Sequence, residues 1–202
     1  MRRGFKAEAE RLATRLRSEL GVPPRQRLNV DQLARHLGVL VCPATDLVAV
    51  ANLNRLDQLQ PGAFSAATFH LPDGRVAAVT NPVGVTQARR DSDLAHELAH
   101  VILKHDVRQI ERVGDLTFFS CDPEQEEEAN WLAGCLLLPR PLLLAEARQG
   151  LDAEQIAAKH KVSVQMARFR LNTSGVYFQV GKSRKPAARA PAQSRATRDP
   201  AQ

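Results

Sequence analysis

The sequence predicts an α+β fold: a small antiparallel sheet packed on a long central helix, followed by a helical C-terminal segment. Three observations carry this. Apolar residues recur at helical spacing in several stretches. Two β-prone runs flank the turn tripeptide Pro72-Asp73-Gly74. Beyond Pro139 the patterned segments are short and helical.

The elements follow in order. Residues 4–20 carry Phe5, Ala9, Leu12, Leu16 and Leu20 on one helical face, and Gly21 with Pro23-Pro24 ends the helix. A short second helix over 30–37 closes at Gly38, and Val39 to Cys42 reads as a strand stopped by Pro43. Strands over 63–71 and 75–80 form a hairpin about the turn. A long helix spans 86–104, and an irregular stretch, 106–121, leads away from it. Asp122 is a good N-cap with Pro123 at the first helical position, and Glu124, Glu126, Glu127 and Glu128 follow where the helix dipole favours negative charge. That helix reaches Leu138 and breaks at Pro139 and Pro141; helices over 141–148, 152–159 and 163–172 come after.

Composition narrows the function classes. The longest apolar run, Trp131 to Pro139, falls far short of the roughly 20 residues that span a bilayer. The basic start, Met1-Arg2-Arg3, runs into Glu8 and Glu10 without an apolar core segment, so a cytoplasmic protein without a signal peptide is expected. The three cysteines, Cys42, Cys121 and Cys135, include no Cys-x-x-Cys pair, which argues for free thiols over a disulfide framework or thiolate zinc finger. The net charge of +6 is concentrated at one end. Residues 181–202 hold Lys182, Arg184, Lys185, Arg189, Arg195 and Arg198 against Asp199, a net +5, so the body is nearly neutral. This Ala-, Pro- and Arg-rich stretch reads as a disordered basic tail, with weak attraction to nucleic acid its main partner signal.

The chemistry sits on the long helix. His96-Glu97-Leu98-Ala99-His100 sets two imidazoles four residues apart on one face, where both can reach one metal ion. Glu97, beside the first histidine, can take a proton from water at the open position. With six histidines in the chain, the pattern is expected by chance roughly 0.01 times. A catalytic zinc usually has three protein ligands. Glu126 is the candidate for the third, with Asn130 on the same helical face as a hydrogen-bonding partner for His96 or His100. Glu127 and Glu128 read as ordinary helix-start carboxylates. Tyr177, His70, His105 and His160 could stabilise an oxyanion chemically, but nothing in the sequence places them, beyond the closeness of His105 to the motif.

These residues resemble the ImmA/IrrE family of metallopeptidases over about residues 4–176. The resemblance rests on Gly4-Phe5-Lys6-Ala7-Glu8-Ala9-Glu10, on Gly62-Ala63-Phe64-Ser65-Ala66, on the histidine helix with His105 after it, and on the block from Glu126 to Pro139. It implies a zincin-like fold over 1–150, with zinc (or another divalent ion such as Mn2+) on His96, His100 and Glu126 and with Glu97 as general base. It implies a helix-turn-helix repressor as protein substrate, whose cleavage switches on stress or mobile-element genes. Ala99 stands where Gly is common and Leu132 where Phe is common, both conservative departures. Residues 151–180 read as a helix-turn-helix-like segment with Ser163 capping its second helix. A structural or partner-binding role is favoured there over DNA binding, for which Gln165, Arg168 and Arg170 would be the exposed contacts. The rival reading of the chain is a DNA-binding or protein-interaction regulator with a vestigial or structural metal site.

Overall fold

The Thr86 hydroxyl accepts a hydrogen bond from the Arg89 amide and so starts the helix on which the rest is assembled. The computed structural model describes residues 1–62, 64–105, 109–113, 116–120 and 122–183. The order is α1 (Phe5–Glu19), α2 (Val30–His36), β1 (Val39–Pro43), a 3₁₀ turn (Ala44–Asp46), α3 (Val50–Leu59), β2 (Ala66–His70), β3 (Val76–Thr80) and α4 (Gln87–Leu103). Then come β4 (Gln109–Val113), β5 (Leu116–Ser120), α5 (Pro123–Leu137), α6 (Arg140–Arg148), α7 (Ala153–His160), α8 (Val164–Thr173) and α9 (Val176–Ser183). Helix and strand are thus mixed as expected for α+β. Among the described residues no helix is long and apolar enough to cross a membrane.

Three of the expected local signals, at Asp122, Ser163 and Gly74, act as read, and α7 adds a cap of its own. Asp122 accepts from the Glu124 amide with Pro123 in the first turn of α5. Ser163 caps α8 through the Met166 amide. Asp152 and Gln155 close a reciprocal capping box at α7. Gly74 takes φ 82° in the β2–β3 turn, a conformation glycine enters without Cβ strain.

The sheet departs from the expected antiparallel arrangement. Its order is β1-β3-β2, with β2 and β3 antiparallel but β1 and β3 parallel. The cause is α3, which carries the chain from β1 across to β2, so that the returning hairpin strand β3 runs alongside β1 in the same direction. Helix α3 went unread in the sequence, although Val50, Leu53, Leu56 and Leu59 recur at helical spacing; of these α3 buries Leu53 and leaves the other three exposed. Residues 106–121 are not simply irregular either: β4 and β5 pair antiparallel within them. Their β-prone residues (Ile110, Val113, Thr117, Phe118, Phe119) are interrupted by Glu111 and Arg112, which masks the pattern. Helix α9 runs to Ser183, into the span read as tail; residues 184–202, with most of that tail, lie outside the described residues, as does Cys121. Cys42 and Cys135 are free thiols, and burial pushes the Cys135 thiol up to about 12.

Packing centres on α4 and α5. Leu94, Ala95, Leu98 and Ala99 of α4 are fully buried, as are Ala129, Leu132, Ala133 and Leu136 of α5. Each of the leucines contributes about 1.5–3 kcal/mol by leaving water. Helix α1 lies against α5 through Ala9 and Ala13, both fully buried, and α8 also reaches α5. One buried cluster therefore runs from Phe5 to Val176.

A cation is built into this cluster. Arg170 of α8 has no exposed surface; its Nη2 donates to Glu10 Oε1 of α1 at 2.6 Å, and its Nε to the Leu138 carbonyl at 3.2 Å. This corrects its reading as an exposed contact residue: α8 turns Arg170 inward because Gly134 leaves room for it. A Cβ built on Gly134 collides with Arg170 Cδ and sits 3.3 Å from Met166 Sδ. Gly134→Ala is therefore expected to destabilise the protein by about 1–3 kcal/mol, despite alanine's better helix propensity. Urea unfolding checks this, and an unchanged or raised midpoint would show that Arg170 yields at no cost.

Candidate metal centre

Helical spacing places Asp93, His96, Glu97, His100 and Lys104 along one face of α4, and all of them line a cleft of about 1220 Å³. Helix α5 forms part of the facing wall with Glu126 and Asn130. The burial of alanines at the α4–α5 contact brings these two polar faces together.

Three ligand-type side chains converge. His96 Nε2 lies 3.0 Å from His100 Nε2 and 3.1 Å from Glu126 Oε2, and His100 Nε2 lies 3.5 Å from Glu126 Oε1. A tetrahedral ion with ~2.0 Å bonds has ligand atoms about 3.3 Å apart. The two imidazoles and one carboxylate thus stand at the separations such an ion requires. Among the described residues, His96, His100 and Glu126 form the group whose ligand atoms all fall within 4.8 Å of one another.

Hydrogen bonds set the ring orientations. His96 Nδ1 is 3.1 Å from Asn130 Oδ1. An amide oxygen only accepts, so Nδ1 carries the proton and the Nε2 lone pair faces Glu126. His100 Nδ1 is 2.9 Å from His105 Nδ1, and His105 Nε2 is 3.6 Å from Glu128 Oε2. The consistent assignment gives His100 the Nδ1 proton, donated to His105, and gives His105 an Nε2 proton directed at Glu128. Burial lowers the His105 imidazole below its usual range, with Glu128 partly opposing.

Glu128 is the residue whose part the sequence understated. It is 5% exposed, and Arg2 donates to it from both the backbone amide (3.0 Å) and Nε (3.1 Å). Burial alone would raise its carboxyl; the Arg2 hydrogen bonds and charge outweigh that and hold it below the usual range. The signal available in sequence was its four-residue offset from Leu132, which sets both on one face of α5. Without the fold, nothing connected that offset to Arg2 or His105.

Glu97, 4% exposed, accepts a hydrogen bond from the Thr68 hydroxyl of β2 at 2.8 Å on Oε2. Strand β2 is the outer strand of the three-stranded sheet and supplies the cleft's other lip. Of the four side chains weighed as oxyanion donors, His70 and His105 line the cleft. His160 is buried against Glu146 at 3.2 Å, and Tyr177 is an exposed residue of α9. Gln165 lines the cleft and accepts from Arg89, whereas Arg168 is exposed and paired with Glu154.

Residues 81–172 match the family model described as Peptidase_M78, the IrrE N-terminal-like domain. The match covers α4 through most of α8 and includes every residue of the converging group. It supports a metallopeptidase-type function and implies a metal cofactor. A search of curated proteins returns no match to the chain.

Replacing His96 or Glu126 by Ala is expected to lower zinc affinity by more than the loss caused by Asn130→Ala, which should be about 10–100-fold. Competition with a chromophoric chelator measures both. Equal zinc binding by wild type and His96→Ala would place the ion elsewhere.

Proposed function

We propose that this chain, whose residues 81–172 match the IrrE N-terminal-like domain, is a zinc-dependent endopeptidase of the ImmA/IrrE family with a zincin-like fold. The observation that carries the reading is the tetrahedral spacing of His96 Nε2, His100 Nε2 and the Glu126 carboxylate beside Glu97, on the floor of one cleft. His96, His100 and Glu126 would hold the metal. When bound, the ion supplies a Lewis acid that polarises a carbonyl and makes water more acidic.

The remaining work falls to the chain's own groups. Glu97 accepts the proton of the attacking water and delivers it to the amine that leaves as the C–N bond breaks. Thr68, by holding Glu97 Oε2, fixes the orientation of the carboxylate. Asn130 and His105 hold the two imidazoles in the tautomer that turns Nε2 inward. The outer strand β2 offers an extended polypeptide a partner for backbone hydrogen bonds along the cleft. A protein substrate therefore enters as an extended segment. The family resemblance points to a helix-turn-helix repressor as that substrate, and to derepression of stress or mobile-element genes as the outcome.

Glu97→Gln should keep the metal and lose at least about 100-fold in cleavage rate. The assay is cleavage of a co-purified repressor by the zinc-loaded protein. Cleavage surviving at the wild-type rate would remove Glu97 from the mechanism. Thr68→Val, which keeps the shape and deletes the hydroxyl, should lower kcat about 10–100-fold with zinc content unchanged. If zinc is lost as well, Thr68 supports the metal centre and not the base.

A further inference from the structure

From His96 the cleft extends along α4 towards Arg89, and there its wall is α8. The wall is fastened at two points. The Ser163 amide donates to Ser92 Oγ at 3.0 Å, and Arg89 Nη1 donates to Gln165 Oε1 at 3.0 Å. Arg89 also donates from Nε to Asp93 Oδ2 at 2.9 Å. These polar groups bind one another, so the apolar surface left to a bound chain is mainly the half-buried ring of Phe169, with the largely buried Met166, whose sulfur lies towards Gly134, lining the cleft beside it. The ring is held edge-on against Trp131, with centroids 5.8 Å apart and planes at 83°. Met166 is 8% exposed.

We propose that Met166 and Phe169 form a side-chain pocket that selects a large apolar residue of the bound polypeptide beside the scissile bond, with Gln165 setting the width of its mouth. The proposal rests on the peptidase reading for the identity of its occupant. Three features argue for it. The pocket is continuous with the metal centre through Asn130 and His96, which line the same cleft. Met166 is unbranched and can yield at the wall behind the Phe169 ring, so leucine, methionine and phenylalanine are all accommodated. The polar rim is already paired, so a charged side chain entering there would have to displace Arg89 from Asp93 or Gln165.

Zinc-loaded Glu97→Gln protein is mixed with a pool of random-sequence peptides, and the retained peptides are sequenced by mass spectrometry. One position should be enriched in Leu, Met and Phe about 10-fold or more over Ala. Adding Gln165→Trp should shift that position towards Ala and Val, and adding Phe169→Ala should shift it towards Trp and Tyr. The same enrichment in all three proteins, enrichment in a charged residue, or no retained peptide would each overturn the pocket. If Phe169→Ala fails to fold for want of its contact with Trp131, Gln165→Trp at the exposed rim decides alone. A wild-type protein that leaves the retained peptides uncut would sink the peptidase reading while leaving the pocket standing.

Discussion

Helices α4 and α5 pack against each other, and both bury alanines, Ala95 and Ala99 on one and Ala129 and Ala133 on the other. The other parts of the candidate site depend on that contact. It sets the distance between two imidazoles on one helix and a carboxylate on the other, and it places Asn130 where it can accept from His96. Interiors pack at near-crystalline density, so a bulkier residue at this seam would be transmitted as a shift of whole helices. The metal ligands would then move relative to one another, although none had been altered. The departure at Ala99 belongs here: alanine still fits because the seam requires a small residue, not glycine's backbone freedom.

What the sequence disclosed and what it hid divide along a physical line. Local chemistry was legible. The caps at Asp122 and Ser163, the turn at Gly74, and the periodicity that aligned His96 with His100 act over a few residues, and side-chain type determines them. Glu126 and Asn130 were legible as a shared helical face. Relations across long separations were not. The parallel pairing of β1 with β3 depends on where α3 carries the chain. The inward turn of Arg170 depends on a glycine thirty-six residues earlier, and Glu128 gains its role from Arg2, 126 residues away along the chain. The strands β4 and β5 were obscured for a different reason, since charged residues broke an otherwise β-prone run.

The electrostatics of the centre are layered. Nearest the converging ligands, neutral hydrogen-bond partners fix ring tautomers. One step outward, the His105–Glu128–Arg2 series sets a carboxylate and a guanidinium behind a buried imidazole. A charged residue at that distance can tune the basicity of His100 without touching it, because a low-dielectric interior screens weakly. On the other side of the cleft, the Thr68 hydroxyl is a neutral hydrogen-bond donor to Glu97. The carboxylate is therefore oriented without being charge-paired through that contact, which suits a group that must accept a proton.

Arg170 also bears on how the molecule could have been assembled or could be taken apart. A helix-turn-helix-like segment suggests a portable accessory, joined to a body by a loop near Gly150. Yet the guanidinium reaches α1 through Glu10 and the end of α5 through the Leu138 carbonyl. Removal of α8 would strip the buried Leu138 carbonyl and the partly exposed Glu10 carboxylate of their donor and open the seat that Gly134 maintains. The last helices come late in the chain, yet through Arg170 they are bonded to the first.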